Sequence, residues 1–176
     1  MSLALTFLDS KLLKTSLVGP DGAVHYTTST TSGLRGRKVT TITAASGAVG
    51  VIDWRQKLFT INGAQRAWKE LKSNPGGILN SKREWNWGDR PYMFKFNRSE
   101  KELLATPTSG DVAGTVRFTT YQPHLFHGNE PAVLYFPHQL HDEIERMFLL
   151  MAVLKTEIQR EDTNNAAAAS AATVSC

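Results

Sequence analysis

The chain has 176 residues, of which 41% are hydrophobic and 20% charged, and this composition is that of a globular domain with a sizeable core. The net charge is +4, and the excess lies in residues 1–141, which hold 17 Lys/Arg against 10 Asp/Glu, whereas the remainder holds 3 against 6. A basic surface attracts phosphate on nucleic acid or anionic lipid, although a modest excess is also common among soluble proteins.

Cys176 is the single cysteine, so an intrachain disulfide is excluded and a reducing compartment is expected. The N-terminal residues lack the pattern of a signal peptide. The longest apolar run, residues 147–154, is far shorter than the ~20 residues that span a bilayer. We therefore expect a cytoplasmic protein without a transmembrane segment, which could contact a membrane only peripherally. No cofactor is predicted.

Before residue 140, apolar residues recur at every second position, which is typical of strands with one buried face. Leu3, Leu5 and Phe7 begin this pattern, and the turn residues Pro20-Asp21-Gly22 predict a hairpin. The segments predicted as strands continue at residues 38–54, 83–96, 102–106, 112–121 and 132–136. Residues 63–77 fit either a short helix or a strand and loop. Short strands with turns between them predict an antiparallel sandwich or barrel.

Residues 142–161 predict a helix whose middle turns have no polar face. Asp142 and Glu145 form a capping-box-like pattern at its start, and Lys155 and Arg160 lie toward its end. A helix that is apolar all round must be surrounded, and with no other long helix in the sequence it must be surrounded by sheet. The predicted fold is therefore mainly β, an antiparallel barrel of residues 1–162 enclosing the helix. Residues 163–176 are predicted to be a flexible low-complexity tail.

The order of these features resembles the tubby-like superfamily, which includes LURP-one-related proteins and phospholipid scramblases. The resembling segments are LTF at 5–7, GPDGAVHYTTST at 19–30, VTTIT at 39–43, VIDW at 51–54, YMFKF at 92–96 and LHDEIERMFLLMAVLK at 140–155. Within the superfamily, the chain is most similar to an uncharacterised domain family abundant in mushroom-forming fungi. One departure is YMFKF, where a Tyr-Lys-Trp-like strand is expected.

The resemblance implies a barrel around a hydrophobic C-terminal helix. Tubby domains bind phosphoinositides through basic residues, and scramblases act at membranes with calcium. The fungal family has no established catalytic motif, so the resemblance transfers no functional residue to this chain.

A candidate anion site lies at residues 32–40, where two glycines let the backbone curl around Arg35, Arg37 and Lys38. The alternative is a solvated hairpin loop. Arg90 and Lys95 are further candidate anion ligands. Together with Trp85, Trp87, Tyr92 and Arg98 they could form an aromatic and basic platform for single-stranded nucleic acid or sugars. Alternating aromatics in a hairpin are more often core.

Four histidines form two H-x-x-H pairs, His124 with His127 and His138 with His141. They could ligate a transition metal if the loops brought three together. Residues three apart on a strand face opposite sides, which works against chelation, so no metal site is predicted.

The leading hypothesis is a non-enzymatic module that binds anionic phospholipid headgroups of the phosphoinositide type at a membrane surface. One alternative is an interaction or defence module that contacts protein or glycan. Another is a histidine-dependent metal enzyme or nuclease, although the sequence has no recognisable catalytic motif. Nucleic acid is not the expected partner, and the oligomeric state is left open.

Overall fold

The fold is a single antiparallel sheet of thirteen strands rolled around one long helix. The computed structural model describes residues 2–34, 36–73, 83–109, 111–122 and 130–173. The sheet order is β7-β6-β5-β4-β3-β2-β1-β13-β12-β11-β10-β9-β8. The elements are β1 (Leu3–Phe7), β2 (Ser16–Val18), β3 (Val24–Gly33), β4 (Gly36–Ala44), β5 (Val49–Asp53), β6 (Leu58–Ile61), β7 (Ala64–Ala67), α1 (Trp68–Leu71), β8 (Lys72–Ser73), β9 (Arg83–Asn86), β10 (Pro91–Asn97), β11 (Glu102–Pro107), a 3-10 turn (Val112–Gly114), β12 (Val116–Thr119), β13 (Val133–Phe136) and α2 (Glu143–Thr173).

The apolar run of α2 forms the centre of the core. Every residue from 147 to 154 is at most 1% exposed, and the inward-facing side chains of the strands surround them. Burying a large apolar side chain contributes about 1.5–3 kcal/mol, so this run is a main source of stability. The predicted mainly β, barrel-like sheet with a packed hydrophobic helix is confirmed.

The two edges of the sheet are consecutive in the chain, because β7 leads through α1 directly into β8. Among the described residues, no backbone ladder joins these edges, and side chains close the seam instead. The Arg66 guanidinium of β7 donates to the carbonyl oxygen of Trp87 and lies 5.0 Å from the centroid of its ring. The segment predicted as helix or loop is therefore the link that brings the barrel edges together.

A buried lysine supports the seam from inside. Lys155 of α2 is 3% exposed, and its Nζ lies 4.9 Å and 4.8 Å from the ring centroids of Trp68 and Trp85. It also donates to Gln159. Cation–π contacts strengthen when desolvated, to about 2 kcal/mol. The cation thus joins the helix to both sides of the seam.

The start of α2 agrees with the prediction to within one residue. The Asp142 side chain accepts the amide of Ile144, as expected of an N-cap, but Glu145 accepts the hydroxyl of Tyr92 instead of completing a capping box. The predicted end at residue 161 is wrong, since α2 continues to Thr173. Four consecutive alanines in residues 166–169 explain the continuation, because alanine has the highest helix propensity.

The closest approach of helix and sheet is at Gly50 of β5. A Cβ at this position would lie 2.6 Å from Sδ of Met147 and 2.9 Å from Sδ of Met151. Gly50→Val should therefore force both methionines to move and lower the free energy of unfolding by about 1–3 kcal/mol in urea denaturation.

The matched control is Gly88→Val, because a Cβ at Gly88 meets no atom within 4 Å. We expect a change within about 0.5 kcal/mol for this surface variant. Equal stability of the two variants would contradict the close packing of α2 on β5.

Candidate functional site

The direction of α2 distinguishes the two ends of the barrel. At its N-terminus, the hydroxyls of Tyr26 and Tyr92 donate to Glu143 and Glu145. At the other end, Arg37 pairs with Asp162 on the helix. Tyr26 lies near the start of β3, and Arg37 near the start of β4. Because neighbouring strands are antiparallel, these contacts assign each connection between neighbouring strands to one end. The link from β7 to β8 joins strands that run in the same direction, and its helix α1 lies at the Asp162 end, where the Trp68 amide donates to the Lys57 carbonyl oxygen.

The charged side chains divide between these ends. We define the basic end as the described connections beside residue 162 of α2, with the part of β4 that extends past β5, and the acidic end as the connections beside the N-terminus of α2, with the first turn of that helix. The basic end holds nine Lys/Arg and four Asp/Glu: Lys11, Lys14, Arg37, Lys38, Arg55, Lys57, Lys69, Arg98 and Lys101, with Asp9, Glu70, Glu100 and Glu130. The acidic end holds two cations, Arg90 and Arg146, with Asp21, Asp89, Asp111, Asp142, Glu143 and Glu145.

Arg37 is engaged within the protein. Its Nη1 and Nη2 donate to the two carboxylate oxygens of Asp162 at 2.8 Å and 2.9 Å, and its guanidinium lies 5.7 Å from the ring centroid of Trp54. The bidentate pair raises the pKa of Arg37 and lowers the pKa of Asp162. Arg37 therefore anchors the β3–β4 hairpin to α2, and its fork is not open to a ligand in this state.

The described residues among the five predicted to bind an anion do not form one site. Lys38 is exposed at the basic end, next to Arg37. Arg90 lies at the acidic end, with its Nη2 3.9 Å from the Asp111 carboxylate. The helix residues at the two ends, 145 and 162, are separated by about 25 Å at the α-helical rise of 1.5 Å per residue.

The other two predicted anion ligands are placed differently. Lys95 is exposed on β10, between the ends. Arg35 lies outside the described residues. Of the four described members of the predicted group, Arg37 and Lys38 are thus brought together.

The aromatic platform predicted for the β9–β10 hairpin is not formed. Trp85 and Tyr92 are fully buried, and Trp87 packs against Phe148 of α2 with a centroid distance of 5.9 Å. The alternating aromatics of this hairpin belong to the core, as the alternative interpretation held.

The histidines are only partly placed. His138 and His141 lie at the acidic end with ring centroids 5.2 Å apart, whereas His124 and His127 are outside the described residues. Within the described ranges, no group of three His, Cys, Asp or Glu side chains is arranged to hold a metal ion.

The outer wall carries a groove of about 620 Å³ on β11, β12 and β13. The Arg117 guanidinium crosses it, donating to Glu102 at 2.7 Å and lying 5.7 Å from the ring centroid of Tyr135. Arg117 and Glu102 neutralise each other, the guanidinium covers the ring of Tyr135, and Glu100 also lines the groove. Sequence reasoning missed this groove, because it depends on which three strands are neighbours.

Neutralising Asp162 and neutralising the adjacent Glu161 should have different effects on the free energy of unfolding. The lowered pKa of Asp162 means that its ion pair stabilises the fold above the unfolded-state pKa near 3.8, and that this contribution is lost as pH falls through the lower folded-state pKa. Asp162→Asn should therefore lower the free energy of unfolding by about 0.2–1 kcal/mol at neutral pH, with no difference from wild type in strong acid.

Glu161→Gln is the matched control. Burial, followed by the nearby Glu157 carboxylate, raises the pKa of Glu161, so its ionised form is disfavoured in the fold. Neutralising it should leave stability unchanged or slightly higher in urea denaturation across pH. A loss equal to that of Asp162→Asn would contradict the specific Arg37–Asp162 pair.

The described helices contain none with the length and hydrophobicity needed to cross a bilayer. No curated protein matches the chain, and no solved structure does. The sequence model of a family of unknown function, DUF6593, matches residues 10–161, which include all strands from β2 to β13 and most of α2. The chain therefore belongs to the DUF6593 family.

Proposed function

We propose that the protein binds anionic phospholipid surfaces through its basic end. The observation that carries this proposal is the division of charge between the ends, with nine cations against four acids at one and two against six at the other. The α2 residues at the basic end, Arg160, Glu161 and Asp162, reduce its excess by one charge without reversing it. Such a molecule would orient its basic end toward a negative surface.

The distribution of the cations favours a surface over a single small ligand. They come from five separate segments, at residues 8–15, 36–38, 54–57, 68–71 and 98–101, and all but Arg37 are exposed. Each Lys or Arg near an anionic membrane adds a small, screened attraction, and several act together. A cytoplasmic location at the inner, anionic leaflet is consistent with this function and is part of the proposal.

Lipid is favoured over nucleic acid by the position of the aromatic residues. Binding of single strands combines cations with exposed rings on which bases stack. Trp85 and Tyr92 are buried, so these rings cannot serve that purpose. The tubby-like resemblance implies binding of phosphoinositide headgroups. The cations of the basic end suit such headgroups, and this binding stays a prediction.

Flotation with phosphatidylcholine vesicles, with and without phosphatidylserine or a phosphoinositide, tests the proposal. We expect binding only to the anionic vesicles, and weaker binding as salt rises. Lys38→Gln and Arg98→Gln should each weaken the affinity by about fivefold, because each removes one surface cation near the membrane.

Arg90→Gln is the control, since it removes the same charge from the acidic end. We expect its vesicle affinity to equal that of the wild type. Vesicle binding that does not depend on anionic lipid would overturn the proposal. Equal losses of vesicle affinity in Arg90→Gln and Lys38→Gln would overturn it as well.

A further inference from the structure

The β3–β4 hairpin extends past its neighbours at the basic end. Ser32 pairs with Arg37 and Gly33 with Gly36, whereas the described pairing of β4 with β5 stops at the bond from Trp54 to the Lys38 carbonyl. One ion pair holds the hairpin in place, and a second guanidinium lies against it. Arg37 binds Asp162 on α2, and a Cβ at Gly33 would lie 3.0 Å from Nη2 of Arg55, so that guanidinium packs against the backbone.

A leucine occupies the tip of this hairpin. Leu34 has a relative exposure of 109%, the highest among the exposed large hydrophobic residues of the described chain. Single exposed hydrophobic residues are ordinary on protein surfaces. Leu34 differs in its position, because it lies at the tip of a hairpin that extends past β5 at the basic end.

We propose that Leu34 inserts into the apolar boundary of the bilayer when the basic end binds an anionic membrane. This inference rests on the proposed function and adds to it a partner with two properties, a negative surface and an apolar layer beneath. A soluble inositol phosphate or a nucleic acid has the first property only. The side chain most exposed to water is thus the one that a membrane would bury.

The anchoring of the hairpin lowers the entropic cost of inserting its tip. Because the Arg37–Asp162 pair holds the hairpin at its base, little conformational freedom remains to be lost when the tip is buried. The neighbouring extension of α2, residues 163–170, is exposed and consists of Thr, Asn, Ala and Ser. This extension presents no large apolar side chain that would compete with Leu34.

Leu34→Ser tests the insertion without changing any charge. We expect affinity for phosphatidylserine vesicles to fall by on the order of tenfold, since a leucine side chain no longer leaves water. The dependence of affinity on salt should keep the wild-type slope, and binding to soluble inositol hexakisphosphate should be unchanged. Wild-type vesicle affinity in Leu34→Ser would overturn the inference.

Val112→Ser is the matched control, because Val112 is 76% exposed but lies at the acidic end. Its vesicle affinity should equal that of the wild type. An equal loss in both variants would also overturn the inference, since the effect would then not depend on the hairpin tip.

A second measurement reports depth directly. Leu34→Cys, in a chain with Cys176→Ser, can carry an environment-sensitive fluorophore at the tip. We expect its emission to shift to the blue on anionic vesicles and to be quenched by lipids brominated in the acyl chains. Vesicle binding without such quenching would reject insertion while leaving the proposed function intact, whereas an absence of wild-type binding to anionic vesicles would reject both.

Discussion

The burial of the apolar turns of α2 is the constraint on which the other features depend. Residues 147–154 have no polar face, so the helix is stable only if the sheet surrounds it. Gly50 lets β5 approach the methionines of α2. Lys155 of the same helix contacts Trp68 and Trp85, which lie on the two sides of the seam between β7 and β8. With the interior filled by the helix, binding surfaces are left to the ends of the barrel and its outer wall.

The enclosed helix also makes the two ends chemically different. Acidic residues in the first turn of a helix oppose the positive end of its dipole, and here Glu143 and Glu145 also accept hydroxyls from the sheet. At the opposite end, Asp162 holds Arg37 and with it the base of the β3–β4 hairpin. A side chain that appeared in the sequence to be an anion ligand is thus a structural anchor, and it positions Lys38 and Leu34 beside it.

Local patterns were sufficient to predict the class of fold. Alternation in β1 and β10, and the unbroken apolar run of α2, reflect burial on one face and on all faces, which a sequence displays directly. The seam, the outer groove and the division of charge could not be predicted, because they depend on which strands are neighbours. Arg90 and Lys38 are an example of this dependence. Both are basic residues close to a turn in the sequence, yet they lie at opposite ends of the barrel. The end of α2 could not be predicted from apolar periodicity, because residues 163–173 are small or polar and carry no apolar stripe.

Native-state hydrogen exchange of α2 tests the central claim most directly. If the sheet encloses the helix, the amides of residues 147–154 exchange only through global unfolding, and their opening free energy equals the unfolding free energy from urea denaturation. Residues 163–170 are exposed, so their amides should exchange far faster than those of residues 147–154. Exchange of residues 147–154 through local openings well below the global free energy would contradict a helix enclosed by the barrel.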